Sequence, residues 1–203
     1  GTSACVPAIR QLTAEGYCIN VTLLFDVTHY EPVARAFIEG LAEHIEKGGN
    51  AKKVNSVASV FISRIDTAVD AILEKNPSEE AKSMMGRTGI ALMREVYAKY
   101  NELFGTVRFG ELKAKGAHVQ RVLWASTSTK NPSYSPTLYV DSLTAINTVN
   151  TVPPATLEEY LVSGSTDIQL CGCESFSELN SLGALGIDPR AICKKLQVDG
   201  IAA

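Results

Sequence analysis

The apolar residues of this chain are concentrated in short runs of strand length. Three runs contain or lead into polar residues: residues 19–25 (INVTLLF), 57–64 (VASVFISR) and 122–130 (VLWASTSTK). We predict strands at residues 19–25, 57–63, 119–125 and 147–151. Because the carboxyl ends of parallel strands meet at one edge of a sheet, polar groups are expected to gather there as a candidate active site.

Helical spacing of apolar residues separates the predicted strands. The first example is Val6, Ile9 and Leu12, and Gly16 then supplies a helix stop. The last helix is predicted from the capping-box pattern of Thr156 and Glu159. We predict helices at residues 5–15, 31–47, 79–104, 111–115 and 156–162.

This alternation predicts an α/β fold. Strands that are apolar on both faces and separated by helices indicate a parallel sheet covered by helices, either open and doubly wound or closed into a barrel. The chain contains no glycine-rich phosphate loop, which disfavours a nucleotide-binding sheet. We therefore favour a (β/α)8 TIM barrel. Four strands are about half of the eight that a barrel needs, so residues 1–203 are predicted to be a single domain supplying half of one.

Four motifs of this chain resemble transaldolases. They are NVTLLF at residues 20–25, SVASVFISRIDTAVD at 56–70, LWASTSTKNPSYSPTLYV at 123–140 and NTVNTVPPATL at 147–157. The resemblance covers roughly residues 1–160 and, more loosely, residues 185–188 (LGID). It implies a barrel of the class I aldolase type.

The resemblance also implies an activity. Transaldolases of the pentose phosphate pathway transfer a dihydroxyacetone unit from a ketose phosphate, sedoheptulose 7-phosphate or fructose 6-phosphate, to an aldose phosphate. They use a lysine Schiff base and need no metal or organic cofactor. In the family, Gly1 and Thr2 would end a Lys-Ile-Pro-Gly-Thr segment, so that lysine would lie three residues before Gly1. The acid/base carboxylates of the family lie on strands that this chain lacks, so neither Asp26 nor Asp66 is assigned that role.

A half barrel is expected to be inactive alone. The family's final helix would also follow Ala203, and an open parallel sheet exposes its edges. We expect the chain to need the missing half of the barrel or a second chain, and a homo-oligomer is one possible arrangement.

Two residues of the second motif are candidates for phosphate binding. Arg64 directly follows a predicted strand, where a guanidinium can bind phosphate with two hydrogen bonds, and it matches the family's phosphate-binding arginine. The alternative is a surface ion pair with Asp66 or Glu74. Ser59 matches a serine that hydrogen-bonds the substrate, although a small residue lining a barrel would look the same.

The third motif supplies two more candidates. Lys130 follows four hydroxyl residues, and it aligns with the family's second phosphate-binding cation. Ser126 is also assigned to the phosphate. This assignment depends on the alignment, because family branches differ by two residues in the length of this loop. Lys130 could instead be a solvated loop residue or, as the strand-end lysine of this chain, the Schiff-base nucleophile itself.

Thr22 is the candidate catalytic residue. Its hydroxyl lies mid-strand among apolar neighbours, where it must be hydrogen-bonded or face the barrel interior. It matches the family threonine near the catalytic water. The alternative is a β-branched strand residue with a packing role only.

Composition limits the possible partners. The formal net charge of −3 disfavours nucleic acid as a partner, whereas one or two cations suffice for a sugar phosphate. The longest apolar runs fall well short of the roughly 20 residues that span a bilayer. A cytoplasmic protein without membrane association is expected, with a plastid location left open.

The cysteines and histidines show no metal-binding spacing. The five cysteines are Cys5, Cys18, Cys171, Cys173 and Cys193, an odd number that suggests reduced structural thiols. The one-residue spacer between Cys171 and Cys173 differs from the two-residue spacer of thioredoxin-like motifs, so a loop is expected there. No metal site is predicted.

Two other functions stay open. A non-catalytic transaldolase-like protein could retain the phosphate site without the lysine and act as a binding or assembly partner. A Schiff-base aldolase of the fructose-6-phosphate type would release the three-carbon unit rather than transfer it.

Overall fold

The described part of the computed structural model, residues 1–173 and 175–203, contains one parallel sheet of four strands. The strands lie side by side in the order β1-β2-β3-β4, so each pairs with the next strand along the chain. Their bounds are β1 Ile19–Leu24, β2 Ser56–Phe61, β3 Gln120–Ala125 and β4 Thr148–Asn150. Each predicted strand is confirmed to within two residues at either end.

Helices connect the strands and cover one face of the sheet. In chain order they are α1 Val6–Ala14, α2 Val27–Glu46, α3 Ser63–Leu73, α4 Glu79–Met84, α5 Thr88–Phe104, α6 Val107–Ala114, α7 Leu138–Ser142, α8 Pro154–Ser163, α9 Glu178–Ala184 and α10 Pro189–Ala202. None of these described helices has the length and apolar content needed to span a membrane.

Three helix predictions are wrong at their starts. α6 begins at Val107, four residues before the predicted start, and the Thr106 hydroxyl caps it by accepting a hydrogen bond from the Phe109 N–H. α2 begins at Val27, four residues before the predicted start, because the Asp26 carboxylate accepts hydrogen bonds from the backbone N–H groups of Thr28 and His29. The predicted capping box at Thr156 does not form. α8 begins at Pro154 with no side-chain cap, and proline suits the first position of a helix because its φ is already helical.

The predicted helix at residues 79–104 is two helices. α4 ends at Met84 and α5 begins at Thr88. Between them Met85 is extended, and Gly86 turns the chain with a φ of +70°. The pattern also gave no helix for α3, which follows β2 directly from Ser63, nor for α7, α9 and α10.

The core lies between the sheet and the helices. Trp124 of β3 is buried, and its indole N–H donates to the Leu143 carbonyl at 2.9 Å. Tyr97 and Tyr100 of α5 are buried and stacked, with ring centroids 5.6 Å apart.

The opposite face of the sheet is polar and open on β1. Asn20 and Thr22 are exposed there, whereas Val21 between them is buried. The prediction that every strand is apolar on both faces is therefore wrong for β1 within this chain. Side chains alternate along a strand, so Asn20 and Thr22 share the face that the helices leave uncovered.

Candidate functional site

The first cation of the site stands where β2 ends. Arg64 is the second residue of α3, and its side chain is exposed. Its guanidinium lies over the Phe61 ring, 5.1 Å from the centroid. Among the ion pairs of the described residues none includes Arg64, so the alternative pair with Asp66 or Glu74 is not formed. Its positive charge is available to an anion at this edge of the sheet.

Ser126 is joined to the residue that precedes Arg64. The Oγ atoms of Ser126 and Ser63 are 2.7 Å apart, and the Ser63 N–H donates to the Ser126 carbonyl at 3.1 Å. Ser126 has a φ of +58°, which non-glycine residues seldom adopt, so its backbone turns directly after β3. The structure thus brings the predicted Ser126 next to the backbone that carries Arg64.

Lys130 has a different set of neighbours. It is exposed, and its ammonium donates to the Ser128 hydroxyl at 2.7 Å. It borders a cleft of about 370 Å³ that is also lined by Asp66 and Asp70 of α3 and by Glu74, the residue after that helix. An acidic cleft offers an anion less attraction than Arg64 does. The two predicted phosphate-binding cations therefore have different surroundings: Lys130 lies near carboxylates, and Arg64 forms no ion pair among the described residues.

Two polar residues of neighbouring strands meet on the open face. The Ser59 hydroxyl donates to Oδ1 of Asn20 at 2.7 Å, and Ser59 is only 3% exposed. Thr22 lies two residues after Asn20 and is exposed on the same face. Sequence reasoning missed Asn20. The available signal was its position two residues before Thr22 in the same strand, which gives the two side chains a common face.

Asp26 and Asp66 are both held by structural contacts. Asp26 caps α2 and lies 3.5 Å from Nη1 of Arg190 in α10. Asp66 accepts hydrogen bonds from the Gly89 N–H at 2.7 Å and from the Tyr139 hydroxyl at 2.8 Å. Burial raises the pKa of Asp66 to about 6. These partners tie both carboxylates to neighbouring elements.

A second carboxylate of α3 repeats the arrangement one turn further on. Asp70 accepts hydrogen bonds from the Gly86 N–H at 3.1 Å and from the Tyr134 hydroxyl at 2.7 Å. Burial also raises the pKa of Asp70. Asp66 and Asp70 therefore hold α3 against the start of α5 with the turn before it, and against α7 with the loop that precedes it.

The start of the chain and α10 meet beside the end of β1. The Gln197 side-chain amide donates to the Leu23 carbonyl at 2.9 Å and to the Gly1 carbonyl at 3.1 Å. Leu23 has a φ of +59°, where the pairing of β1 with β2 shifts register. Gly200 packs close to Leu23 and Arg64. α10 therefore lies across the edge of the sheet that carries the site.

The histidines and cysteines of the described residues are not arranged as a metal site. Within residues 1–173 and 175–203, no group of three or more His, Cys, Asp or Glu residues is arranged to hold a metal ion. All five cysteines are thiols, and Cys193 alone among them is buried. The other four are exposed.

Comparison with known proteins agrees with the sequence motifs. A family model described as transaldolase/fructose-6-phosphate aldolase matches residues 1–203. The transaldolase of Mycolicibacterium smegmatis is 47% identical over 203 residues, covering 98% of this chain and 55% of that protein. Those of Mycolicibacterium paratuberculosis and Mycobacterium tuberculosis H37Rv are 42% and 40% identical over 205 residues, with the same coverage.

The chain spans about half the length of these curated relatives. The predicted resemblance is confirmed, since the family model extends over all 203 residues. The chain belongs to the transaldolase/fructose-6-phosphate aldolase family.

Proposed function

We propose that the protein is a transaldolase of the non-oxidative pentose phosphate pathway. It transfers a dihydroxyacetone unit from sedoheptulose 7-phosphate or fructose 6-phosphate to an aldose phosphate through a lysine Schiff base. The observation that carries this proposal is Arg64, a cation with no ion-pair partner among the described residues, at the carboxyl end of β2 in a member of this family.

The order of the strands supports a barrel in the whole protein. Each strand pairs with the next one along the chain and in parallel. A doubly wound sheet reverses its strand order at a switch point, whereas a barrel adds strands in one direction. We infer that these four strands belong to one side of an eight-stranded barrel, with the open face of β1 directed inward.

The roles of the side chains follow from their charge and position. Arg64 binds the phosphate with two charge-assisted hydrogen bonds, and the hydroxyl of Ser126 contributes near the start of α3. Lys130 adds positive charge from the neighbouring loop, partly offset by the carboxylates beside it. Ser59, whose hydroxyl donates to Asn20, is the remaining phosphate-binding candidate, and Thr22 holds the catalytic water.

The Schiff-base lysine is proposed to precede Gly1 in a Lys-Ile-Pro sequence, as in the family. Gly1 lies against Leu24 and the Thr22 carbonyl, beside the strand that carries Asn20 and Thr22. A lysine amine must lose its proton to attack a carbonyl, so a neighbouring cation or an apolar setting that lowers its pKa from about 10.4 favours the reaction.

Borohydride trapping tests the proposal. Full-length protein is incubated with fructose 6-phosphate, reduced and digested, and the peptides are weighed. We expect a reduced three-carbon adduct on the lysine that precedes Gly1. Absence of any adduct under conditions where a known transaldolase is trapped contradicts the Schiff-base mechanism.

The need for an aldose phosphate acceptor distinguishes a transaldolase from a fructose-6-phosphate aldolase, the two activities named for the family. With fructose 6-phosphate and no aldose phosphate, a transaldolase retains the three-carbon unit on its lysine after one turnover. An aldolase instead releases dihydroxyacetone continuously. We expect release to depend on added erythrose 4-phosphate or a similar aldose phosphate acceptor.

A further inference from the structure

Two thiols lie side by side in the loop between α8 and α9. The Sγ atoms of Cys171 and Cys173 are 2.8 Å apart, and both residues are exposed. A disulfide bond is about 2.05 Å long, so the two sulfurs need to approach by less than 1 Å to be bonded. These thiols have no part in the proposed transaldolase reaction.

The fold, and not only the short spacer, holds this turn. Gly172 has a φ of +91°, which L-amino acids rarely adopt. A Cβ at Gly172 would lie 2.1 Å from Nδ2 of Asn101 in α5, so the turn packs directly on that helix. Just before the turn, Leu170 is 2% exposed, and its N–H donates to the Thr144 carbonyl at 3.2 Å.

We propose that Cys171 and Cys173 form a dithiol site that small-molecule disulfides of the glutathione type convert into an intramolecular disulfide. One thiolate attacks the disulfide, forms a mixed disulfide and releases one thiol. The second thiolate then attacks the protein sulfur of that mixed disulfide and releases the second thiol. The protein loses two electrons and two protons, and the small disulfide gains them as two thiols.

Cys5 and Cys18 serve as internal controls. Cys5 is exposed, and its hydrogen bond with Thr2 lowers the pKa of its thiol, which favours attack on a disulfide. Cys18 contacts the Lys53 carbonyl and the Asn55 N–H. Neither thiol has another Sγ at contact distance among the described hydrogen bonds, so each is expected to keep an attached glutathione.

Peptide mass analysis after incubation with oxidised glutathione tests the proposal. We expect the peptide with Cys171 and Cys173 to lose two hydrogen atoms and to carry no glutathione, while Cys5 carries one. In Cys171→Ser or Cys173→Ser the remaining thiol should retain glutathione, and Cys5→Ser should leave closure unchanged. Two glutathiones retained on Cys171 and Cys173, or no reaction at either thiol while Cys5 reacts, overturns the proposal.

A second comparison tests whether disulfide closure depends on the folded turn or only on the one-residue spacing of the two cysteines. Gly172→Ala should lower the closed fraction at a fixed glutathione ratio by about tenfold, because alanine is strained at a φ of +91° and a changed turn lowers the effective concentration of one thiol at the other. The wild-type chain in urea should show a similar loss. Equal closure in the folded and the unfolded chain means that the fold does not build the site, and this outcome also overturns the proposal.

Discussion

The Tyr139 hydroxyl donates a 2.8 Å hydrogen bond to Oδ2 of Asp66, and both side chains are buried. One helical turn along α3, the Tyr134 hydroxyl donates to Oδ2 of Asp70 at 2.7 Å. These two bonds join α7 and the loop between Lys130 and α7 to α3, the helix that carries Arg64. The position of Lys130 relative to Arg64 therefore depends on two buried carboxylates.

The buried Asp66 should make stability depend on pH. Burial raises its pKa from 3.8 to about 6, so the folded protein binds this proton more tightly than the unfolded chain. Its contribution to the free energy of unfolding therefore decreases as pH rises from about 4 to about 6, by up to roughly 3 kcal/mol. Asp66→Asn removes this titration. As the pH is lowered from 7 to 5, the free energy of unfolding of wild type, measured in urea, should therefore increase relative to that of the variant.

Asp70→Asn is the matched variant for the pH experiment, since it removes the other buried carboxyl group of α3 and leaves Asp66 to titrate. The pKa of Asp70 is also raised by burial, and Asp70 still titrates in Asp66→Asn. The difference between wild type and Asp66→Asn thus isolates one carboxyl group. A difference that stays constant from pH 5 to pH 7 means that Asp66 keeps an ordinary pKa in the folded protein.

Arg64→Ala should reduce activity far more than stability. The guanidinium is exposed, and its described ring contact is with Phe61, so the loss in free energy of unfolding should stay within about 1 kcal/mol. Loss of charge-assisted bonds to phosphate should lower kcat/KM for fructose 6-phosphate by about 10- to 100-fold. Steady-state kinetics and urea unfolding measure the two effects.

Arg108→Ala is the control for Arg64, because Arg108 is also exposed but lies on α6. It should leave kcat/KM unchanged. If Arg64→Ala retains normal kinetics in the complete enzyme, Arg64 does not bind the phosphate.

Lys130→Ala should weaken phosphate binding yet allow Schiff-base trapping. Lys130 lies beside Asp66, Asp70 and Glu74, so its effect on KM should be smaller than that of Arg64. The measurement is KM together with the borohydride adduct, with the exposed Lys113→Ala of α6 as control. Complete loss of trapping with the fold intact would identify Lys130 itself as the nucleophile.

Asn20 and Ser59 should be energetically coupled. Their 2.7 Å hydrogen bond joins β1 to β2 on the open face, and Ser59 is buried. A double-mutant cycle of Asn20→Ala and Ser59→Ala should give a coupling free energy of about 1 kcal/mol in urea unfolding. Additive effects of the two substitutions would show that the bond adds nothing to stability.

The sequence predicted the strands better than the helices, for physical reasons. Buried strands such as β2 are short apolar runs, which are easy to locate. The break between α4 and α5 depends on Gly86, whose positive φ no periodicity reports. α3 was missed because the pattern around Arg64 was interpreted only as the end of a strand.

Residues of the site that belong to a sequence motif could be predicted, whereas neighbours brought together by tertiary packing could not. Arg64, Ser59 and Thr22 come from the motifs, and their roles stay predictions. The link between Ser126 and Ser63 spans 63 residues of sequence, and the acidic surroundings of Lys130 come from α3. Such neighbours result from packing and leave no local pattern in the chain.

The paired carboxylates of α3 also fix the length of a loop. Asp66 and Asp70 lie one helical turn apart. Asp66 accepts a hydrogen bond from the N–H of Gly89 in the first turn of α5, and Asp70 accepts one from the N–H of Gly86 just before that helix. A Cβ at Gly86 would lie 2.8 Å from the Tyr134 ring, and one at Gly89 would lie 3.1 Å from the Asp66 carboxylate. A single inserted or deleted residue between these glycines would move one amide away from its carboxylate, so this short connection cannot vary in length as surface loops usually do.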